Sequence, residues 1–395
     1  MTSPPVGRPE PLIINMGPQH PSTHGVLRLI LEVDGETVTD CTPDIGYLHT
    51  GMEKQMESHK YYQAITSTDR MDYLSPMTNN LAYCLAVEKL MGIKVPERAE
   101  VLRVILCELS RIASHLVWLG THAMDIGAMT VFLYCFRERE IILEAFEEVA
   151  GGRITPSYIC PGGIYYDVTP RFFDMTREFL KIFPARMRDY ERLLTRNPIF
   201  VRRTKGIGYL SREELVDWGV TGPILRASGL PWDLRKTQPY SGYDRFEFDV
   251  PVGEHSDVYD RYLVRMEEMR QSQRIVEQAL ESLPPGEVMT DDRRVRWPDR
   301  AKVRTDMHAM IHHFKIVHEG FSPPPGEVYV AIEGPKGELG FYIVSDGSNR
   351  PYRCRVRPPS FVNLQALPAM VRGQMIADVV AAIGSIDIVL GEVDR

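Results

Sequence analysis

Between Gly17 and Gly25 the chain reads Gly-Pro-Gln-His-Pro-Ser-Thr-His-Gly, which sets His20 and His24 four residues apart. The prolines and glycines of this stretch exclude a regular helix and favour a fixed turn that can aim an imidazole into a cavity. Imidazole gives or takes a proton near neutral pH, so a rigidly held pair points to proton chemistry or metal ligation. A capped loop with hydrogen-bonded histidines is the plainer alternative. In the run Arg70-Met-Asp72-Tyr73-Leu-Ser75, Asp72 or Ser75 can cap a helix while Tyr73 presents its hydroxyl toward His24. Tyrosine beside histidine makes a proton-donor pair for a carbonyl that becomes a hydroxyl. It can equally be an ordinary, partly buried tyrosine. A third group is Thr121-His122-Ala123-Met124-Asp125, where Thr121 and Asp125 share a helical face. An acid in so apolar a run costs stability unless it has a partner, either a backbone amide or an imidazole. Pairing with an imidazole would fix the ring's tautomer and raise its proton affinity.

Other patterns carry less. His308 and His312 would share a helical face near His313 and His318, but no HExxH signature or third ligand accompanies them. Arg353, Arg355 and Arg357 alternate along a strand, giving either a solvated face or a docking surface for an acidic or cluster-bearing partner. GxGxxG, P-loop and nucleophile-elbow motifs are missing, so nucleotide binding is unsupported.

The elements that must position these residues follow from periodicity. Leu12–Met16, Val26–Val33 and Glu36–Cys41 read as strands, the last two joined by a turn at Asp34-Gly35. From Gly51 to about Ala150 the periods are helical, with Ala99, Leu102, Leu106, Leu109, Ala113, Leu116 and Leu119 in one stripe and Gly151-Gly152 as the stop. Phe172–Leu194, broken or kinked at Pro184, and Asp257–Leu283 read as further long helices. Ser211 to Glu214 is a capping box. Glu327–Pro358 reads as an antiparallel meander turning at Gly334–Gly337 and Asp346–Asn349, followed by a last helix near Gln374–Ile383. The expectation is an α+β fold, mainly α, a helix bundle with small antiparallel sheets near both ends. Its divisions are a disordered, proline-rich lead-in at 1–10 without secretory-signal character, a small β region with the histidine loop at 11–50, a helical body at 51–320, and a β meander and tail at 321–395.

Composition is that of a chain with a sizeable core, 395 residues of which 44% are hydrophobic and 25% charged. Six scattered cysteines without a CxxC argue against zinc ribbons, cysteine-ligated clusters and a disulfide framework. The net charge of -7 gives no global attraction to nucleic acid, despite a local basic cluster from Arg293 to Arg304. The most apolar stretches, Ile112–Met124 and Ile126–Phe136, are interrupted by Asp125 and fall short of a bilayer span.

Several blocks in order resemble one family: GPQHPSTHG (Gly17 to Gly25), GYLHTGMEK (Gly46 to Lys54), RMDYLS, ELSRIASHLVWLGTHAMDIGAMT (Glu108 to Thr130), SGYDRFEFDVPVG, GELGFYIVSDGSNRPYR, PSFVNLQALP and the ending GEVDR. The chain is similar to the D subunits of proton-pumping NADH:quinone oxidoreductases (NDH-1, respiratory complex I), the 49 kDa subunit family. That resemblance implies a quinone headgroup pocket shared with a neighbour carrying the terminal iron–sulfur cluster. His24 and Tyr73 would donate to the two quinone carbonyls, Asp125 would pair with that histidine, and Thr121 and Phe132 would line the wall. It further implies partners in the B, C and I subunits and the membrane-embedded H subunit of NDH-1, with FMN and the iron–sulfur clusters all in partners and quinone as substrate. The location implied is peripheral, on the cytoplasmic side of the cell membrane. The family is similar in turn to the large subunits of nickel-iron hydrogenases, and the four cysteine positions of their nickel site fall here on Asp72, Ser75, Val389 and Glu392, none a thiolate. Thr50, Thr155 and Cys160 stand where some relatives carry arginine or histidine near the terminal cluster. A related complex fed by ferredoxin or another donor, a hydrogenase-like scaffold protein and a metal hydrogenase are the rival readings.

Overall fold

The computed structural model describes residues 12–20 and 25–395. The expected lead-in at 1–10 and His24 both lie outside the described residues. Three strands, β1 (Leu12–Met16), β2 (Arg28–Asp34) and β3 (Thr37–Asp44), form an antiparallel sheet in that order. Asp34 pairs with Thr37, so the hairpin turns on Gly35 and Glu36, one residue later than the sequence suggests. Gly35 takes the left-handed φ of 63° that the turn requires. Alternation places Leu29, Leu31 and Val33 on one buried face, against Leu367, Val371, Ile383 and Leu390 from the far end of the chain.

The helical body begins with α1 (Met52–Ser58), α2 (Tyr61–Thr68), α3 (Pro76–Met91), α4 (Glu97–Asp125) and α5 (Met129–Ala150). Gly151 closes α5 in the left-handed conformation, as expected of a glycine at that position. A minimal hairpin, β4 (Ile159–Cys160) and β5 (Gly163–Ile164), leads to α6 (Pro170–Leu194), which continues through Pro184 rather than breaking there. One lost backbone hydrogen bond is outweighed by the buried stripe Phe172, Phe179, Phe183, Met187 and Tyr190. Short helices follow: α7 (Pro198–Thr204), α8 (Arg212–Asp217) with its Ser211 capping box, α9 (Pro223–Ala227) and α10 (Leu234–Thr237). The long α11 (Val258–Glu281) starts at Asp257, whose carboxylate accepts from the Asp260 amide at 2.8 Å. Beyond it lie α12 (Arg300–Val303) and α13 (Met307–His318).

A further sheet, β6 (Gly326–Gly334), β7 (Gly337–Ser345) and β8 (Arg353–Arg357), is antiparallel in chain order and packs on α3. The chain ends in α14 (Pro359–Gln365), α15 (Leu367–Val371), α16 (Ile376–Ile386) and α17 (Leu390–Asp394). The fold is therefore α+β and mainly α, as the patterning implies. No helix among the described residues is long and apolar enough to cross a membrane.

The alternating arginines of β8 lie on a face that is exposed at Arg353 and Arg355, and all three also find partners inside the chain. Arg353 reaches Glu57 at 3.0 Å and Arg355 reaches Glu53 at 3.1 Å, both on α1. Arg357 donates to the Glu338 carbonyl at 2.8 Å and to the Gly219 carbonyl at 3.0 Å. The arginines of the two ion pairs are half exposed, so each pair contributes about 0–1 kcal/mol. The histidines of α13 are also in structural contacts: His312 Nε2 bonds the Arg296 carbonyl at 3.0 Å, and His313 packs edge-on to Trp297.

Candidate functional site

The segment from Gly384 to Asp394 ties together the blocks singled out in the sequence. At its start, Trp118 of α4 donates to the Gly384 carbonyl at 2.7 Å, and a Cβ on Gly384 would collide with His122 Nδ1. Only glycine lets α16 approach α4 this closely. A Cβ on Gly391 would lie 2.6 Å from the Arg70 carbonyl oxygen and 3.4 Å from Tyr73 Cδ1, so α17 seats directly on the Arg70–Tyr73 turn. At the end, the Asp394 carboxylate accepts from the Gly46 amide at 2.9 Å and the Leu48 amide at 2.7 Å. The ending, the tyrosine turn and the Gly46–Lys54 block thus meet in one place.

Tyr73 is half-buried on this platform. Burial, helped by the Asp72 carboxylate, pushes its hydroxyl above the ordinary tyrosine value, while Lys336 pulls the other way. The hydroxyl is therefore protonated and available as a donor at neutral pH. Asp72 itself is buried, accepts from the Leu74 amide at 3.1 Å and meets Lys336 Nζ at 3.1 Å. Ser75 occupies the cap position of α3 without capping it; its hydroxyl lies 2.7 Å from Thr78 Oγ1 and 3.3 Å from Ser110 Oγ.

Lys336 is the residue that sequence reading misses. It lies in the Gly334-Pro-Lys-Gly337 turn, where a lysine is ordinarily solvated, yet its side chain is 1% exposed. Its ammonium donates to Ser114 Oγ at 2.9 Å and stands 3.8 Å from Asp387. Burial pulls its proton affinity down, but Asp387, Asp72 and Glu392 together outweigh that and hold the ammonium above its usual value. Burial pushes Asp387 up to about 6, against Lys336 and Arg265. Burial and Asp72 push Glu392 up to about 8, against the hydrogen bonds from Ser360 and the charge of Lys336. Asp72, Ser75, Lys336 and Glu392 line a cavity of about 10 Å³. Val389, the remaining position matched to a hydrogenase cysteine, donates its amide to Ser360 Oγ at 3.4 Å. Asp387 does carry a signal, as the single acid in the apolar run Ile383–Leu390.

The other candidates gather at the α4–α5 junction. Asp125 is the last residue of α4 and half-buried, so it ends the apolar helix rather than interrupting it. Gly127, at φ 102°, turns the chain into α5. Thr121 spends its hydroxyl on its own helix, donating to the Val117 carbonyl at 2.9 Å. Phe132 packs where Gly120 lets the helices touch, since a Cβ there would lie 3.2 Å from Phe132 Cα, and its ring sits 4.4 Å from that of Phe136. The structure places Thr121, Asp125 and Phe132 at this junction and Tyr73 on the α17 platform, joined through the Trp118–Gly384 contact. His24 is outside the described residues, but its neighbour Gly25 is near the platform: a Cβ there would lie 4.0 Å from Leu390 Cδ1.

A larger buried network braces this arrangement. Arg226 binds Glu333 at 2.7 Å and also pairs with Glu268, which holds His115 Nε2 at 2.9 Å. Burial takes His115 down to about 4 in spite of Glu268, so the ring is neutral. Glu108 joins Arg111, Arg235, Tyr243 and Ser272 in the same interior. These contacts fix α4 against α9, α10, α11 and β6.

The family model described as respiratory-chain NADH dehydrogenase, 49 kDa subunit, matches residues 125–395. The chain is 59% identical over 389 residues to a D subunit, numbered D 2, of the NADH-quinone oxidoreductase of Koribacter versatilis, covering 98% of this chain and 97% of that protein. It is 58% identical over 386 residues to the D subunit of the Geotalea uraniireducens enzyme and 57% identical over 386 residues to that of Geobacter metallireducens, covering 98% of this chain and 99% of each. The chain belongs to this family.

Of the three positions singled out as expected departures, Thr50 and Thr155 are exposed and Cys160 is buried. Burial pushes the Cys160 thiol up to about 12, so it is protonated at neutral pH. Its carbonyl accepts from Arg103 at 2.8 Å, and Arg103 is fixed by Glu88 and by the Gly163 carbonyl at 2.9 Å.

Proposed function

We propose that the chain is the quinone-binding subunit of a proton-translocating NADH:quinone oxidoreductase, respiratory complex I. In this reading it sits on the cytoplasmic side of the membrane without spanning it. The membrane-embedded H subunit and the B, C and I subunits surround it, and the B subunit carries the terminal iron–sulfur cluster. NADH oxidation, FMN and the clusters belong to partners, which deliver two electrons to the quinone. This chain supplies position and protons. Tyr73 and His24 donate to the two carbonyl oxygens, Asp125 fixes the tautomer of His24 and raises its proton affinity, and Thr121 and Phe132 form the wall. Loss of protons to the quinol leaves negative charge in the site, which couples reduction to movement in the proton-translocating machinery.

Family membership supports the assignment to the complex. The observation that carries the quinone reading is Tyr73: a phenol kept protonated, partly exposed, seated against Gly391 and within the fields of Asp72 and Lys336, suited to donating to a carbonyl oxygen. Replacing Tyr73 with Phe in the assembled complex tests it. A hydrogen bond from a neutral donor contributes about 0.5–1.5 kcal/mol to binding, so the quinone KM should rise about two- to tenfold. Loss of proton donation should lower kcat by on the order of a hundredfold. NADH oxidation with an artificial acceptor upstream should be unchanged. Unaltered quinone kinetics would remove Tyr73 from the site.

A further inference from the structure

Asp72, Asp387 and Glu392 converge on one ammonium, that of Lys336, in a part of the protein closed to solvent. With every group ionised the cluster would carry two excess negative charges, and Arg265 of α11, which faces Asp387, offsets only one of them. Ser114 on α4, Ser360 on α14, and Ser75, Thr78 and Asn79 at the start of α3 add only neutral polar groups. A buried site of this kind relieves its charge by keeping a proton. Glu392 is the group placed to hold it: Asp72 and Asp387 each pair with the ammonium and Glu392 does not, while the two hydrogen bonds that Ser360 donates to one oxygen of Glu392 favour its carboxylate only in part against burial and Asp72. The cavity that Glu392 shares with Asp72 and Lys336, about 10 Å³, has room for about one water. Tyr73 adjoins this cluster, with its ring against Gly391, the residue before Glu392, and its hydroxyl within the fields of Asp72 and Lys336.

We propose that Asp72, Lys336, Asp387 and Glu392 form a buried proton store for Tyr73, in which Glu392 carries the exchangeable proton and Lys336 is the positioning residue that pairs with Asp72 and Asp387. The inference rests on the quinone reading. Two electrons reach the quinone from the reduced iron–sulfur cluster of the partner, and the Tyr73 O–H bond breaks as its proton passes to a quinone oxygen. The Glu392 carboxylic acid then gives its proton to the tyrosinate and becomes a carboxylate. No electron passes through this chain.

The test is infrared difference spectroscopy on the assembled complex during a single turnover of bound quinone, in light and heavy water. Wild type should lose one protonated-carboxyl band that shifts in heavy water. Glu392→Gln should lack that band and reduce quinone on the order of tenfold more slowly, while Glu392→Asp should keep a band at a moved frequency. The Asp variant and the wild-type spectrum decide the matter if the Gln variant does not assemble. A wild-type spectrum without such a band, or a band that persists unmoved in either variant, overturns the proposal while leaving the quinone reading in place. Unchanged quinone kinetics in Tyr73→Phe would instead sink that reading and the proton store with it.

Discussion

Removing the Lys336 ammonium should destabilise the protein in a pH-dependent way. In Lys336→Met the stem is replaced by a side chain of similar length, so packing survives, but Asp72 loses a partner at 3.1 Å and Asp387 one at 3.8 Å. Breaking a buried ion pair by deleting one member costs about 3–5 kcal/mol. With about 2.1 cal/mol/K of unfolding entropy per residue over 395 residues, that is about 4–6 °C in melting temperature. The sign with pH follows from Asp387, which burial already raises to about 6. A carboxyl raised on folding loses stability as pH climbs from its unfolded value to its folded one. In the wild type that loss ends near pH 6, whereas without the ammonium the folded value moves higher and the loss continues. Lys336 itself is raised and so contributes fully throughout this range, because its contribution begins to be lost only as pH passes its ordinary value of 10.5. The deficit of Lys336→Met should therefore grow by about 1.4 kcal/mol per pH unit above about pH 6. Thermal inactivation of the complex at about pH 6 and about pH 8 measures it, and adding Asp387→Asn should recover part of the loss. A deficit that is flat with pH, or larger at the lower pH, would refute the reasoning.

Two further outcomes follow, one from the α17 seat and one from the proposed role of Asp125. Gly391→Ala puts a methyl 2.6 Å from the Arg70 carbonyl oxygen and 3.4 Å from the Tyr73 ring, so α17 must shift; stability should fall by about 1–3 kcal/mol and the quinone KM should rise, with a normal KM showing that the α17 seat does not set the tyrosine. If Asp125 pairs with His24 as proposed, Asp125→Asn removes the charge that favours the protonated ring, so the quinone-reductase rate should drop and its alkaline limb should move to lower pH. An unmoved limb with poor assembly would make Asp125 a structural helix-end residue instead.

The long elements are legible in the sequence because their periodicity reports burial directly. Leu102, Leu106, Leu109, Ala113, Leu116 and Leu119 all lie in the core, and the strand alternation of Leu29, Leu31 and Val33 holds. Helices of five to seven residues, such as α14, α15 and α17, are too short for a period to show, so the closing segment reads as a tail. That is where the candidate site is organised. Residue type and spacing already single out Tyr73 and Asp125, and family resemblance adds the quinone, but their surroundings come from distant segments of the chain. Lys336 shows the limit most clearly: a Gly-Pro-Lys-Gly turn reads as exposed, and only the return of Asp387 and Glu392 to the same place makes a buried ammonium stable there. Likewise the sequence gives Arg353 and Arg355 no acids nearby, and the fold supplies them as Glu57 and Glu53 on α1.

A density map of the assembled complex with a short-tailed quinone bound tests the central claim most directly. The headgroup should lie between the Tyr73 platform and the α4–α5 junction, with one carbonyl oxygen within hydrogen-bonding distance of Tyr73 Oη and the other facing His24. A headgroup seated elsewhere in fully occupied density, with Tyr73 Oη bonded only to protein, would contradict it.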